Sequence, residues 1–210
     1  CDKTYAAHMS QRRVAIVAGA GFYVGPHLAR LLAARGHDLV LGDPLPDLAP
    51  ELEAAGAAVQ VVTGTRDLAD PASSQRLVDA ALERFGRVDS ATAFSGLIVT
   101  GRFMNSSVDD YRTVIEGCMV APYHFLQAVL PPMIAQEDGQ VLVITSASAA
   151  RATPGAPLYS SARAGACATV SKVCACSPWP GTSSVPSSPI PSDERGRTMS
   201  SPCFASIARS

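Results

Sequence analysis

Short apolar runs alternate with amphipathic segments along most of this chain. Continuous apolar runs of strand length predict five strands, at residues 13–18, 38–41, 58–62, 88–94 and 140–145. Apolar residues that recur every three or four positions predict helices at residues 26–32, 48–55, 73–85, 109–133 and 158–172. Alternation of strands with helices is typical of a parallel sheet covered on both faces. The pattern therefore predicts an α/β fold, a Rossmann-like doubly wound parallel sheet whose carboxyl strand ends share one ligand-binding edge.

The two ends of the chain do not follow this pattern. Residues 1–8 precede Met9, and the pair His8-Met9 resembles a cloning-site scar, so we interpret residues 1–8 as exogenous sequence. Residues 173–210 contain ten serines and six prolines, a composition that predicts neither a strand nor an amphipathic helix. Residues 9–172 are thus the predicted domain, and its C-terminal strands are expected to be lost or scrambled. A disordered tail and an out-of-frame translation both explain residues 173–210; the abrupt change within a predicted helix favours the second.

Composition and charge argue against several classes of function. The net charge is -1, and no block of like charges indicates a nucleic-acid or membrane-surface partner. No apolar run reaches the roughly 18 residues of a membrane span, and the N-terminus has no apolar signal region, so we expect a cytoplasmic protein. The six cysteines have neither disulfide nor metal-site spacing, so we expect thiols and no bound metal.

Four sequence features lie where the predicted sheet presents its ligand-binding edge. The turn after the first strand is Ala18-Gly19-Ala20-Gly21-Phe22-Tyr23-Val24-Gly25, and the fourth strand ends in Ala93-Phe94-Ser95-Gly96. Cys118 lies in the long predicted helix at residues 109–133, which connects the fourth strand to the fifth. After the fifth strand, Ser146 is followed, beyond twelve intervening residues, by Tyr159, and Arg163 comes one helical turn later.

The order of elements over residues 13–172 resembles the short-chain dehydrogenase/reductase superfamily, with four departures. That superfamily has a second glycine where Tyr23 stands, Asn-Asn-Ala-Gly where residues 93–96 stand, Asn in place of Cys118 and Lys in place of Arg163. These departures resemble the halohydrin dehalogenases, a branch with an aromatic residue in the first turn and Ser-x12-Tyr-x3-Arg. The resemblance implies a homotetramer that needs no cofactor and catalyses through Ser146, Tyr159 and Arg163.

The implied reaction converts a vicinal haloalcohol into an epoxide and a halide ion, and the reverse reaction opens epoxides with azide, cyanide or nitrite. The base must remove a hydroxyl proton, and a nearby cation favours the phenolate form of a tyrosine. The i,i+4 spacing puts Tyr159 and Arg163 on one helix face. Ser146 is expected to hydrogen-bond the substrate oxygen. The resemblance places the leaving halide near the aromatic residues Tyr23 and Phe22.

Two alternatives remain open. The first is a nicotinamide-dependent short-chain oxidoreductase, for which Asp43 is the main evidence, because it lies where such enzymes place a ribose-binding carboxylate. Tyr23 and Arg163 argue against this alternative, and Tyr23 itself is either a halide contact or a core aromatic residue that fills a disused nucleotide site. The second is a truncated, inactive Rossmann-like scaffold, because residues 173–210 do not predict the usual last strands. Cys118 is interpreted as core packing.

Overall fold

The computed structural model describes residues 12–175 and 203–207. Five strands and six helices alternate, and a sixth strand follows. The strands are β1 Arg13–Ala18, β2 His37–Gly42, β3 Val59–Val62, β4 Ser90–Phe94, β5 Gly139–Ile144 and β6 Cys203–Ile207. The helices are α1 Gly25–Ala34, α2 Leu48–Ala54, α3 Pro71–Phe85, α4 Val108–Ile115, α5 Ala121–Ala135 and α6 Pro157–Ala175.

The strands form one sheet in the order β3-β2-β1-β4-β5-β6. All pairs are parallel except β5 with β6. The chain order reverses direction between β1 and β4, so the loops after these two strands leave toward opposite faces and open a crevice at the carboxyl edge. The predicted doubly wound parallel sheet is confirmed.

Alternate residues of the central strands build two separate cores. On β1, Val14 and Ile16 pack against α3 and α5, whereas Ala15 and Val17 pack against α1 and α2. Strand side chains alternate between faces, so an apolar residue at every position serves both cores. Deleting a fully buried leucine side chain such as that of Leu77 costs about 2–5 kcal/mol. The site at the carboxyl edge therefore stands on a rigid support.

The long predicted helix at residues 109–133 is interrupted. A π-helical turn, Glu116–Val120, joins α4 to α5. At its centre, a Cβ on Gly117 would lie 2.8 Å from the backbone nitrogen of Leu97. The helix thus approaches the loop after β4 so closely that only glycine fits there. The apolar pattern misses this break because a π-turn keeps the buried side of the helix apolar.

The expectation that residues 173–210 form no regular structure is wrong at two places. Helix α6 continues to Ala175, and Cys203–Ile207 pairs antiparallel with β5, with Cys203 opposite Val143 and Ile207 opposite Gly139. The segment Cys-Phe-Ala-Ser-Ile contains no proline, and the open edge of β5 offers unpaired backbone groups. Composition averaged over the tail hides this short segment. Residues 1–8 and the rest of the tail lie outside the described residues.

The structure bears on two further sequence expectations, one on membrane spans and one on the cysteines. By length and composition alone, the helical stretch Val108–Ala135 is apolar enough to cross a membrane. This is weak evidence, because helices buried in protein cores meet the same criterion, and Phe125, Val129 and Met133 are fully buried in this core. The expectation that the cysteines form no disulfide is wrong at Cys167, which is disulfide-bonded. Among the described residues, no cluster of three or more His, Cys, Asp or Glu side chains could hold a metal.

Candidate functional site

The three predicted catalytic residues lie at the carboxyl edge, beside the ends of β4 and β5. Ser146 follows β5 and caps a short 3-10 turn, Ala147–Ala149. Tyr159 and Arg163 lie on α6, which begins at the same edge. The predicted grouping of Tyr159 and Arg163 on one helix face is found, because the Arg163 Cζ lies 5.1 Å from the centroid of the Tyr159 ring.

Arg163 is the most unusual side chain of the site, because it is 1% exposed and has no acidic partner among residues 12–175 and 203–207. Its guanidinium donates to the backbone carbonyl of Ser95, after β4, and to that of Ile144, at the end of β5, at 3.5 Å. Its Nε is buried without a partner in the described part of the chain. The partners that the structure does show are carbonyl dipoles and the Tyr159 ring rather than a carboxylate.

The cation lies over the face of the Tyr159 ring rather than beside an acid. Such contacts are attractive because the ring face is electron-rich. Within the described part of the chain, the Tyr159 hydroxyl has no hydrogen bond to protein. Its oxygen is therefore available to a substrate.

Gly96 makes room for Arg163. A Cβ at this position would collide with the guanidinium, lying 2.7 Å from its Cζ, and would also lie 3.2 Å from the Cys118 Sγ. The φ angle of Gly96 is +133°, a conformation that L side chains rarely adopt. Sequence reasoning missed this role. The departure from Asn-Asn-Ala-Gly marks the position, but the neighbour that requires glycine is known only from the fold.

Cys118 packs in the small core between α4 and α6, as the sequence predicts. It is fully buried, and its Sγ donates to the Leu97 carbonyl at 3.8 Å. Burial raises the pKa of the Cys118 thiol, and the positive charge of Arg163 acts in the opposite direction. The residue that replaces the superfamily's Asn is therefore a protonated, apolar filler rather than a nucleophile.

Among the described residues, the Ser146 hydroxyl forms its hydrogen bonds within its own loop rather than with Tyr159. Its Oγ accepts a hydrogen bond from the Ser148 backbone N–H at 3.2 Å and donates to the Ser148 Oγ at 3.2 Å. The Ser148 Oγ is 2.6 Å from the Thr153 Oγ1. The serine hydroxyl is thus held by its own loop. A substrate oxygen between Ser146 and Tyr159 is what would connect them.

The first turn keeps three of its glycines for steric reasons. Gly19 has a φ of +75°, and a Cβ on Gly25 would collide with the Gly19 carbonyl and lie 2.9 Å from the Ala20 Cα. A Cβ on Gly21 would collide with the Asp43 carbonyl. Glycine therefore permits the close packing of β1, its turn and α1.

Tyr23 has a φ of +52°, in the left-handed region that favours glycine. Its ring stacks on Phe94 with centroids 4.9 Å apart, and Phe22 lies 5.6 Å from the same ring. Both turn residues are exposed, Tyr23 by 69% and Phe22 by 53%. We call Phe22, Tyr23 and Phe94 the aromatic cluster; it spans the crevice between the ends of β1 and β4. Phe94 was not predicted, because as the last residue of an apolar strand it has no distinguishing pattern.

Asp43 is occupied by its own chain. Its carboxylate accepts hydrogen bonds from the backbone N–H groups of Gly64 and Thr65, both at 2.7 Å. The hydroxyl of Thr65 donates to it as well, at 3.2 Å. The carboxylate thus fastens the loop after β3, which is a structural role at the position where the sequence suggested ribose binding.

The residues present match a dinucleotide only in part. The tight turn and the close approach of α1 are retained at Gly19 and Gly25. The position at which a pyrophosphate needs bare backbone carries the Tyr23 side chain, and Asp43 is already bonded to the loop after β3. The site therefore fits a nicotinamide dinucleotide poorly, and we derive no reaction step through one.

A small cleft of about 70 Å³ lies at the same edge of the sheet. It is lined by residues 99–103 of the loop after β4, by Asn105, Ser106 and Asp110, and by Pro157 and Leu158 at the start of α6. Leu158 immediately precedes Tyr159 in the sequence. The three predicted catalytic side chains do not themselves line the cleft.

Comparison with known proteins assigns the family. Residues 13–175 match the family model for short chain dehydrogenases. The chain is 31% identical over 155 residues to the glycine betaine reductase ATRR of Emericella nidulans, and 32% identical over 156 residues to the oxidoreductase UcpA of Escherichia coli. Each match covers 72% of this chain, but only 12% of ATRR and 59% of UcpA.

Solved structures agree with this assignment. The 3-oxoacyl-[acyl-carrier protein] reductase of Brucella melitensis, solved in complex with NAD, superposes with a TM-score of 0.70 at 28% identity. The superposition covers 79% of this chain and 68% of the reductase. Since the family model spans well over half of the sequence, the chain belongs to the short chain dehydrogenase family.

Proposed function

We propose that this chain comes from a halohydrin dehalogenase, which converts vicinal haloalcohols into epoxides without a nicotinamide cofactor. The observation that carries the proposal is the buried Arg163 under the Tyr159 ring, in the helix turn where oxidoreductases of this family have lysine. Arginine is a permanent planar cation and cannot exchange roles with lysine at such a site. Arg163 can support a tyrosine base. It does not supply the lysine ammonium group that would contact the ribose of a nicotinamide cofactor.

In the proposed reaction, Tyr159 takes the proton from the substrate hydroxyl while Ser146 hydrogen-bonds the same oxygen. That oxygen attacks the neighbouring carbon, a carbon–oxygen bond forms, and the carbon–halogen bond breaks with its electron pair leaving on the halide. The proton held by Tyr159 then returns to water. The reaction is an intramolecular displacement, so the site contributes orientation and charge stabilisation rather than a second reactant.

The aromatic cluster is the proposed wall of the halide pocket. Ring edges carry partial positive charge and attract anions, and Phe22 and Tyr23 expose much of their surface beside the crevice. The positive charge of Arg163 adds to the same field. Small anions such as azide, cyanide and nitrite would enter the same pocket in the reverse reaction.

A second candidate, nicotinamide-dependent oxidoreduction, is favoured by the comparisons. The relatives are named reductases or oxidoreductases, and the Brucella structure contains NAD. The retained Gly19 and Gly25 are compatible with it. Tyr159 would then exchange a proton with a carbonyl or alcohol oxygen, so both candidates use it as the acid–base group on a small molecule.

We propose a homotetramer, as the sequence resemblance implies. The helices α4, α5 and α6 would form the interfaces. Exposed apolar side chains on the first two of these helices, including Tyr111, Tyr123 and Ile134, support this assignment.

Bromide release separates the candidates. The protein, expressed from a re-sequenced gene, is mixed with a small bromohydrin and no nucleotide, and bromide is measured with time. We expect release, and we expect Tyr159→Phe to lower kcat by about 10²–10⁴-fold because the general base is lost.

Three other outcomes are informative. Reduction of a ketone with consumption of NADPH, without bromide release, would establish the second candidate. Neither activity would identify the chain as an inactive scaffold. Full dehalogenation by the Tyr159→Phe variant would remove Tyr159 as the base.

A further inference from the structure

A chain of hydroxyl groups runs through the loop after β5. Ser146 Oγ donates to Ser148 Oγ at 3.2 Å, and Ser148 Oγ is 2.6 Å from Thr153 Oγ1. The backbone N–H of Thr153 donates to Ser160 Oγ at 3.0 Å, and Ser160 follows Tyr159 on α6. The chain therefore begins at one proposed catalytic residue and ends beside the other.

The two hydroxyl–hydroxyl bonds differ in strength. Bonds between hydroxyl oxygens usually measure about 2.7–2.8 Å. The Ser146–Ser148 bond, at 3.2 Å, is long and weak, whereas the Ser148–Thr153 bond, at 2.6 Å, is short and strong. The Ser146 proton is thus held loosely, and its acceptor Ser148 is held firmly.

Ser160 fixes the far end of this chain. It is 6% exposed, and its hydroxyl donates to the Ala156 carbonyl at 3.1 Å while accepting from the Thr153 backbone. Because Ser160 is on α6, the loop that carries Ser148 and Thr153 is tied to the helix of Tyr159. The spacing between Ser146 and Tyr159 is therefore set by these bonds.

We infer that Ser148 and Thr153 are positioning residues for Ser146. They hold its hydroxyl in the loop after β5, and a substrate oxygen can then accept the Ser146 hydrogen bond in place of Ser148 Oγ. When the Ser146 proton turns to the substrate oxygen, Ser148 Oγ keeps Thr153 as its partner and Ser146 Oγ still accepts from the Ser148 backbone N–H. This inference rests on the proposed function, because that function assigns the substrate oxygen to Ser146.

A double-mutant cycle tests the inference. The proteins are the wild type, Ser146→Ala, Ser148→Ala and the double variant, and kcat and KM for bromide release are measured separately. We expect Ser148→Ala to lower kcat about tenfold with little change in KM, and to cause no further loss when Ser146 is already alanine. A residue with a merely structural role would lower activity in both backgrounds.

Variants of Thr153 and a matched control complete the design. Thr153→Val should reproduce the loss seen with Ser148→Ala, and Thr153→Ser should restore wild-type kcat because it keeps the hydroxyl. Ser161→Ala is the control, since the Ser161 hydroxyl bonds only to the Leu158 carbonyl within α6, at 2.8 Å. It should leave kcat unchanged.

Styrene oxide binding, measured by calorimetry on the same four proteins of the cycle, makes the inference independent of turnover. We expect Ser148→Ala to weaken binding about threefold, and only when Ser146 is present. Additive losses in the cycle overturn the inference, as does a wild type that does not bind styrene oxide. A wild type that binds the epoxide but releases no bromide overturns the proposed function alone, and the binding cycle then decides the inference.

Discussion

Arg163 is central to the candidate site, but the backbone groups that it binds could not be predicted from the sequence. Its position one helical turn after Tyr159 was readable from the spacing, and so was the expected closeness of the two groups. Its hydrogen bonds to the carbonyls of Ser95 and Ile144 could not be predicted, because every residue has a carbonyl and no sequence pattern marks the ones that accept from Arg163. The same holds for the hydroxyl chain from Ser146 to Ser148 and Thr153.

Gly96 provides the test at the residue scale. Gly96→Ala places a methyl group against the guanidinium, so Arg163 must move away from the Tyr159 ring. A displacement of about 1 Å in a catalytic group can cost roughly 10²-fold in rate, and we expect at least that loss in kcat.

Gly36→Ala is the matched control for Gly96→Ala. Gly36 also has a positive φ, +81°, but a Cβ there would meet nothing within 4 Å. Both variants should lose about 1 kcal/mol of unfolding free energy from backbone strain, measured by urea denaturation, and only Gly96→Ala should lose activity. Equal losses of kcat in the two would show that Gly96 does not act through Arg163.

At the scale of elements, the first five strands lie close to their predicted positions, whereas the π-turn in the long helix and strand β6 were not predicted. Strand β1 has the predicted bounds, because six apolar or strand-compatible residues run without a break into Gly19. The π-turn at Glu116–Val120 was missed because Gly117 and Cys118 fit the apolar face of an uninterrupted helix. Strand β6 was missed because five compatible residues stand inside a segment rich in serine and proline.

The turn between β1 and α1 yields a prediction of its own. Tyr23→Gly removes the ring that stacks on Phe94 and relieves a positive φ, so the protein should be slightly more stable, by about 1 kcal/mol. If the aromatic cluster binds the leaving halide, inhibition by added bromide should weaken at least several-fold. Steady-state kinetics at increasing bromide measure this effect.

The control for Tyr23→Gly is Glu137→Gly. Glu137 has a similar φ of +56° and lies in the turn before β5, at the opposite edge of the sheet. It should gain comparable stability without any change in bromide inhibition. Tighter NADPH binding by Tyr23→Gly, with unchanged bromide inhibition, would favour the oxidoreductase candidate instead.

At the scale of the whole molecule, the fold was predictable because one rule governs all of it. Alternating strands and helices lead to a doubly wound sheet, and the switch between β1 and β4 then fixes where the site must be. The faces that remain exposed on α4 and α5 were expected from the resemblance to form an assembly. The monomer alone leaves them in contact with water.

Sedimentation velocity tests that assembly. We expect a tetramer, and we expect Tyr123→Glu to dissociate it, because a carboxylate at an apolar interface would lose its hydration. Leu31→Glu on α1 is matched in exposure, 48% against 51% for Tyr123, and should leave the assembly intact. A wild type that sediments as a monomer contradicts the tetramer.

The buried guanidinium also bears on the medium in which the protein can work. Arg163 is 1% exposed and donates to the backbone carbonyls of Ser95 and Ile144, so its positive charge is held at the carboxyl edge of the sheet. Because the group is shielded from water, dissolved ions screen it only weakly. Chloride from an ordinary buffer would then compete with the departing bromide for its binding site. We expect turnover to slow as the chloride concentration rises.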